Sequence, residues 1–122
     1  MEALETERGL GVFRATDAFA VEAYRAAAGL RGEPLGSEIR RTAIAAGAAV
    51  VAASARERGS GAASQHLERA RDALIEGRYF LYLARRFGLL DARQYRGLSL
   101  RQDSALREIE AARATPARGR AP

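Results

Sequence analysis

Leu67, Ala70, Leu74, Gly77, Leu81, Ala84 and Gly88 recur at steps that alternate between three and four residues. A strand turns its side chains over every two residues and cannot gather this set on one face, whereas a helix places all seven along one stripe. A stripe of this kind is stable only when other helices cover it, so the spacing predicts a bundle seam. Gly77 in its middle costs about 1 kcal/mol of helix propensity relative to alanine, and a neighbouring helix passing close by is the expected compensation.

The same period occurs elsewhere. Val12, Phe19, Ala23, Ala26 and Leu30 form one stripe, with Phe13, Ala20, Tyr24 and Ala27 beside it, and Tyr95, Leu98, Gln102, Ala105, Ile109 and Ala112 form another. Breaks fall at R-G-E-P-L-G (31–36), where Pro34 disfavours helix at Glu33 and Ser37 is the expected cap of a second helix. That helix is expected to run to about Arg58, with Gly59 of G-S-G as its left-handed C-terminal cap. A third helix is expected from Ala62 or Ser64 to Phe87, and a fourth capped by Asp91 and stopped by Thr115-Pro116. Strand-favouring residues are scarce beside Ala, Leu, Arg and Glu. The expectation is an all-α, antiparallel up-down-up-down four-helix bundle over residues 10–114, with a flexible N-terminus (1–9) and a disordered basic tail (115–122).

The second helix carries T-A-I-A-A-G-A-A-V-V-A-A-S, Thr42 to Ser54, with nothing larger than isoleucine. About a dozen residues between arginine flanks fall short of the roughly 20 that cross a bilayer, so no membrane role is expected. Small side chains let backbones approach, and this stretch, Gly47 included, is expected to pack closely within a subunit or between subunits. The acidic start M-E-A-L-E-T-E-R-G lacks the features of a signal peptide, and a cytoplasmic protein is expected.

Catalytic signatures are missing. The chain has no cysteine and one histidine, His66, so thiolate chemistry and disulfides are excluded, and no metal or other cofactor is expected. Asp72 and Glu76 share a helical face, yet the Glu-x-x-His element of di-iron bundles is not there. Pairing of Glu76 with Arg40 or Arg41 is the better account. The G-S-G at 59–61 lacks the lysine of a phosphate loop. A non-enzymatic protein is expected.

Net charge is +5, and all 20 basic residues are arginine. The excess is concentrated in residues 69–101, which hold eight arginines against three acids. Arg71, Arg78 and Arg85 recur every seven residues along one side of the third helix, while Arg86, Arg93 and Arg96 gather around F-G-L-L-D. Guanidinium groups bind phosphate bidentately, and such a cluster is the electrostatic footprint of RNA or DNA binding. A solvated, solubilising face is the alternative. Tyr79, Phe80, Tyr82 and Phe87 interleave with these arginines; most are expected in the core or a subunit contact, with Tyr79 and Tyr82 the more exposed pair.

The order of features, E-I-R-R-T-A-I opening a small-residue helix and A-R-D-A-L-I-E-G-R-Y-F-L-Y-L-A-R-R-F-G-L-L across the next, resembles the four-helix bundle proteins encoded in intervening sequences of bacterial 23S ribosomal RNA genes. A related group is the accessory protein of diversity-generating retroelements. Arg40, Arg41, Glu76, Leu81, Ala84 and Gly88 match the family pattern, which covers about residues 10–112. The family's Asn-Ile-Ala-Glu-Gly run is replaced by Ala49-Val50-Val51-Ala52-Ala53, marking a divergent member. The resemblance implies a homo-oligomer, a ring-like pentamer, in which Arg40, Arg41, Gly47, Glu76, Gly77, Tyr79 and Tyr82 serve structure or assembly. It also implies nucleic acid or a reverse transcriptase as partner. The rival reading is a protein-interaction module that recruits such an enzyme without touching nucleic acid.

Overall fold

The computed structural model describes residues 7–30 and 32–114, with side chains from Gly11 onward. Four α-helices follow one another: α1 (Glu7–Ala28), α2 (Pro34–Ser54), α3 (Gly61–Arg86) and α4 (Ala92–Arg113). The shortest has 21 residues and is about 32 Å long. The connections of five or six residues reach at most about 21 Å. Successive helices packed side by side therefore run antiparallel. Each helix packs on two neighbours, α1 on α2 and α4, and α3 on α2 and α4, which closes the four-membered ring of a bundle.

The core is built from the expected stripes. Phe19, Ile39, Leu74, Leu81, Leu90 and Ile109 are the large apolar side chains buried almost completely, and each contributes about 1.5–3 kcal/mol. Eleven of the 22 buried apolar side chains among the described residues are alanines, which let neighbouring helix backbones approach. The closest approach is at Gly77: a Cβ placed there would lie 2.9 Å from Thr42 Oγ1 on α2. That contact is the compensation expected for a mid-helix glycine.

Some boundaries differ from the sequence reading. α1 begins at Glu7, inside the segment expected to be flexible. α2 begins at Pro34 with Glu33 as its extended N-cap, and Ser37 lies exposed within the helix. Proline's fixed φ suits the first helical position, and this outweighs the capping preference of serine. α2 ends at Ser54, whose Oγ donates to Val51 O at 2.7 Å, and Ala55 closes the last turn by donating to Ala52 and Ala53. Gly59 is left-handed at φ 78°, but in the connection rather than at the cap. Ser60 caps α3 by accepting from Ala63 N, and the helix starts at Gly61, one residue before the earlier of the two expected starts. Thr115-Pro116 and the expected basic tail lie outside the described residues.

Gly88 falls on the α3 stripe by its spacing and in the family's turn by the resemblance; it is exposed and turns the chain. With φ 73° it ends α3 in a Schellman arrangement, in which Leu89 N donates to Ala84 O at 2.8 Å and Gly88 N to Arg85 O at 3.1 Å. The turn drives Leu90 into the core and leaves Phe87 outside. Asp91 then starts α4 with a reciprocal capping box: its carboxylate accepts from Gln94 N at 2.7 Å, and Asp91 N donates to the Gln94 side chain at 3.0 Å.

Candidate nucleic-acid interface

Antiparallel pairing imposes a register on α3 and α4, in which each step of seven residues forward on one is a step of seven back on the other. Arg71 Nε lies 3.0 Å from Glu110 Oε1. Seven residues on, Arg78 pairs with Asp103 and its Nε donates to Gln102 Oε1 at 3.2 Å. Gln102 is buried and donates in turn to Leu74 O at 2.7 Å, which fixes this rung to the core. Seven further residues bring Arg85 to the level of Arg96. Two rungs of the ladder are Arg–carboxylate and the third is Arg–Arg.

The six arginines singled out by sequence thus separate into two groups. Arg71 and Arg78 are ion-paired along the side of the bundle, where Glu110 also meets Arg113 at 3.1 Å and Asp72 lies 3.8 Å from Arg71. Arg85, Arg86, Arg93 and Arg96 are exposed at the end formed by the α3–α4 turn, and among the described residues none forms an ion pair. The carboxylate between them, Asp91, is committed to the capping box. Glu33, in the connection between α1 and α2, lies at the same end. The first turn of α4 holds no acid, so Arg93 adds its charge to the positive end of the helix dipole. Arg85 and Arg86, in the last turn of α3, sit at the favourable end of theirs.

Aromatic rings accompany the cluster. The Arg86 guanidinium stands 5.8 Å from the Tyr82 ring centroid and donates to Tyr82 Oη at 3.1 Å. Tyr79 and Tyr82 are exposed, as expected. Phe80 is half-buried against the core, with Arg41 6.0 Å from its ring and Tyr79 6.1 Å away. Phe87 departs from the expectation of a packed ring: it is 68% exposed, because the left-handed Gly88 sends Leu90 inward in its place.

The residues expected to serve structure or assembly lie on α2 and α3. Arg41 bridges Glu38 and Glu76, each at 2.7 Å, and both carboxylates push its pKa upward. Arg40 stands 5.9 Å from the Tyr24 ring, joining α2 to α1. Gly47 meets nothing: a Cβ there would contact no atom within 4 Å, so no neighbouring helix of the chain requires glycine at that position. His66 is partly exposed in the first turns of α3, beside Arg69 Nη2 at 2.6 Å, and partial burial followed by the charges of Arg69 and Arg56 lowers its pKa. Among the described residues, no group of His, Asp and Glu side chains is arranged to hold a metal ion, and no helix is long and apolar enough to cross a membrane.

Comparisons with models of known families, with characterised proteins and with solved structures find no match to this chain.

Proposed function

We propose that the chain is a non-enzymatic, homo-oligomeric nucleic-acid-binding protein whose phosphate contacts come from Arg85, Arg86, Arg93 and Arg96. The observation that carries this reading is that, among the described residues, these four arginines have no carboxylate partner, whereas Arg71 and Arg78 do. The register sets Arg85 level with Arg96, and a polyanion bound at this end supplies the missing counter-charge. An oligomer multiplies the effect, because every subunit adds four unpaired guanidinium groups to one bound strand.

The case for self-association rests on α2. From Thr42 to Ala55 the helix carries no charged residue on any face, and its outward side exposes Ile44, Ala45 and Ala48. A helix that is apolar all round is normally buried. A second copy covers it in this reading, and a ring of five is the closure that the family resemblance implies. Association with a reverse transcriptase rests on that resemblance too.

Charge reversal of one arginine tests the assignment. In Arg85→Glu a carboxylate placed level with Arg96 gains up to about 0.5 kcal/mol, but at the C-terminal end of α3 it opposes the helix dipole by a similar amount, and a phosphate contact is removed. Thermal unfolding should therefore stay close to the parent while low-salt RNA binding falls. A variant that binds as tightly as the parent rejects the assignment.

A further inference from the structure

Among the described residues Phe87 is the most exposed of the large apolar side chains, and the backbone that carries it is fixed. The Schellman hydrogen bonds from Gly88 and Leu89 fix the backbone on its C-terminal side, Phe87 N donates to Leu83 O at 2.9 Å, and buried Leu90 anchors the turn. Arg85 and Arg86 precede it, and Arg93 and Arg96 follow on the first turns of α4. An exposed ring on a fixed turn, near in sequence to four arginines that form no ion pair among the described residues, has the composition of a base-stacking site with phosphate contacts around it.

Building on the polyanion reading above, we propose that the ligand is an unpaired polynucleotide, one base of which stacks on Phe87 while Arg85, Arg86, Arg93 and Arg96 hold the flanking phosphates. A duplex presents its phosphates but covers its base faces by stacking, so it gains the electrostatic contact and forgoes the aromatic one. An apolar protein partner fits less well. Leu89 is half-buried and Leu90 buried, so within its turn Phe87 has no exposed apolar neighbour to share a protein contact, while Arg85 and Arg86 beside it are exposed. Stacking and phosphate pairing make no use of a 2′-hydroxyl, and single-stranded RNA and DNA should bind within a few-fold of each other. Removal of the ring should cost roughly 5- to 100-fold in affinity for a single strand.

The experiment uses the full chain and three fluorescent probes: a 20-nucleotide oligouridylate, the matching oligothymidylate and a 20-base-pair DNA duplex. Anisotropy titrations at one fixed low salt compare the parent with Phe87→Ala and Phe87→Trp. Phe87 is exposed, so both variants should fold, and circular dichroism checks that they do. The proposal predicts tighter binding of both single strands than of the duplex. It also predicts a 5- to 100-fold loss in Phe87→Ala for single strands alone, and retention in Phe87→Trp. Equal binding of all three probes, unchanged in Phe87→Ala, overturns the stacking proposal and leaves the polyanion reading standing. No binding of any probe overturns both. Loss of self-association in Phe87→Ala with no loss of strand binding assigns the ring to a subunit contact, and also overturns the proposal.

Discussion

A methyl group added at Gly77 tests how the bundle closes. On an exposed helix Gly→Ala gains about 1 kcal/mol of propensity. Here the new Cβ would sit 2.9 Å from Thr42 Oγ1 and 3.4 Å from Thr42 Cβ. Thr42 has little freedom to yield, because it is β-branched and its hydroxyl, 3.1 Å from both Glu38 O and Ile39 O, is tied to its own helix. Forced contacts of this kind cost about 1–3 kcal/mol, which exceeds the propensity gain, so Gly77→Ala should be net destabilising by about 1 kcal/mol. Thr42→Ala removes the obstructing oxygen and leaves a Cβ at 3.4 Å, the edge of ordinary contact. In that background Gly77→Ala should stabilise by up to about 1 kcal/mol, a coupling of about 2 kcal/mol between the two sites. Urea unfolding followed at 222 nm, at one protein concentration, measures all four corners of the cycle. If Gly77→Ala is equally destabilising with and without the threonine hydroxyl, the close-approach account is refuted.

Further expectations concern the interior and the assembly. Thr16 is fully buried and its Oγ1 has no hydrogen-bond partner, so the near-isosteric Thr16→Val should raise stability by about 1 kcal/mol; a loss on thermal unfolding would show that the hydroxyl is satisfied. Ala48 is exposed in the charge-free part of α2, and Ala48→Glu should leave helical content unchanged while shifting sedimentation toward the monomer. A parent protein that already sediments as a monomer at micromolar concentration would remove the assembly proposal.

Most of the architecture was legible from spacing because a helical stripe depends only on local order. Val12, Phe19, Leu74, Leu81, Leu98 and Ile109 lie buried where the three-and-four pattern put them. Helix ends were less legible, since several residues compete to set them. Pro34 displaced Ser37 as the start of α2, and Ala55 ended that helix four residues before Gly59. At the candidate site the arginine heptad was visible, but its division was not. Which arginines are neutralised depends on the register of α3 against α4, a property of two helices together. Asp103 and Glu110, also seven residues apart, were the signal that would have revealed the two paired rungs. Phe87 lies outside the core for a related reason: aromatic spacing predicts packing within the chain only while the helix continues, and Gly88 ends it one residue later.

The central claim is that position, and not net charge, makes the turn end the binding surface. Two double variants separate these causes. Arg85→Gln with Arg96→Gln, at the turn end of α3 and α4, and Arg71→Gln with Arg78→Gln, on the side of α3, each remove two positive charges. RNA affinity measured against salt concentration, with circular dichroism confirming the fold, compares them directly. The turn-end pair should lose most low-salt binding and flatten the salt slope by about 1.4, while the side pair should keep both close to the parent values. Equal losses in the two variants, or no binding by the parent at any salt, would contradict the account.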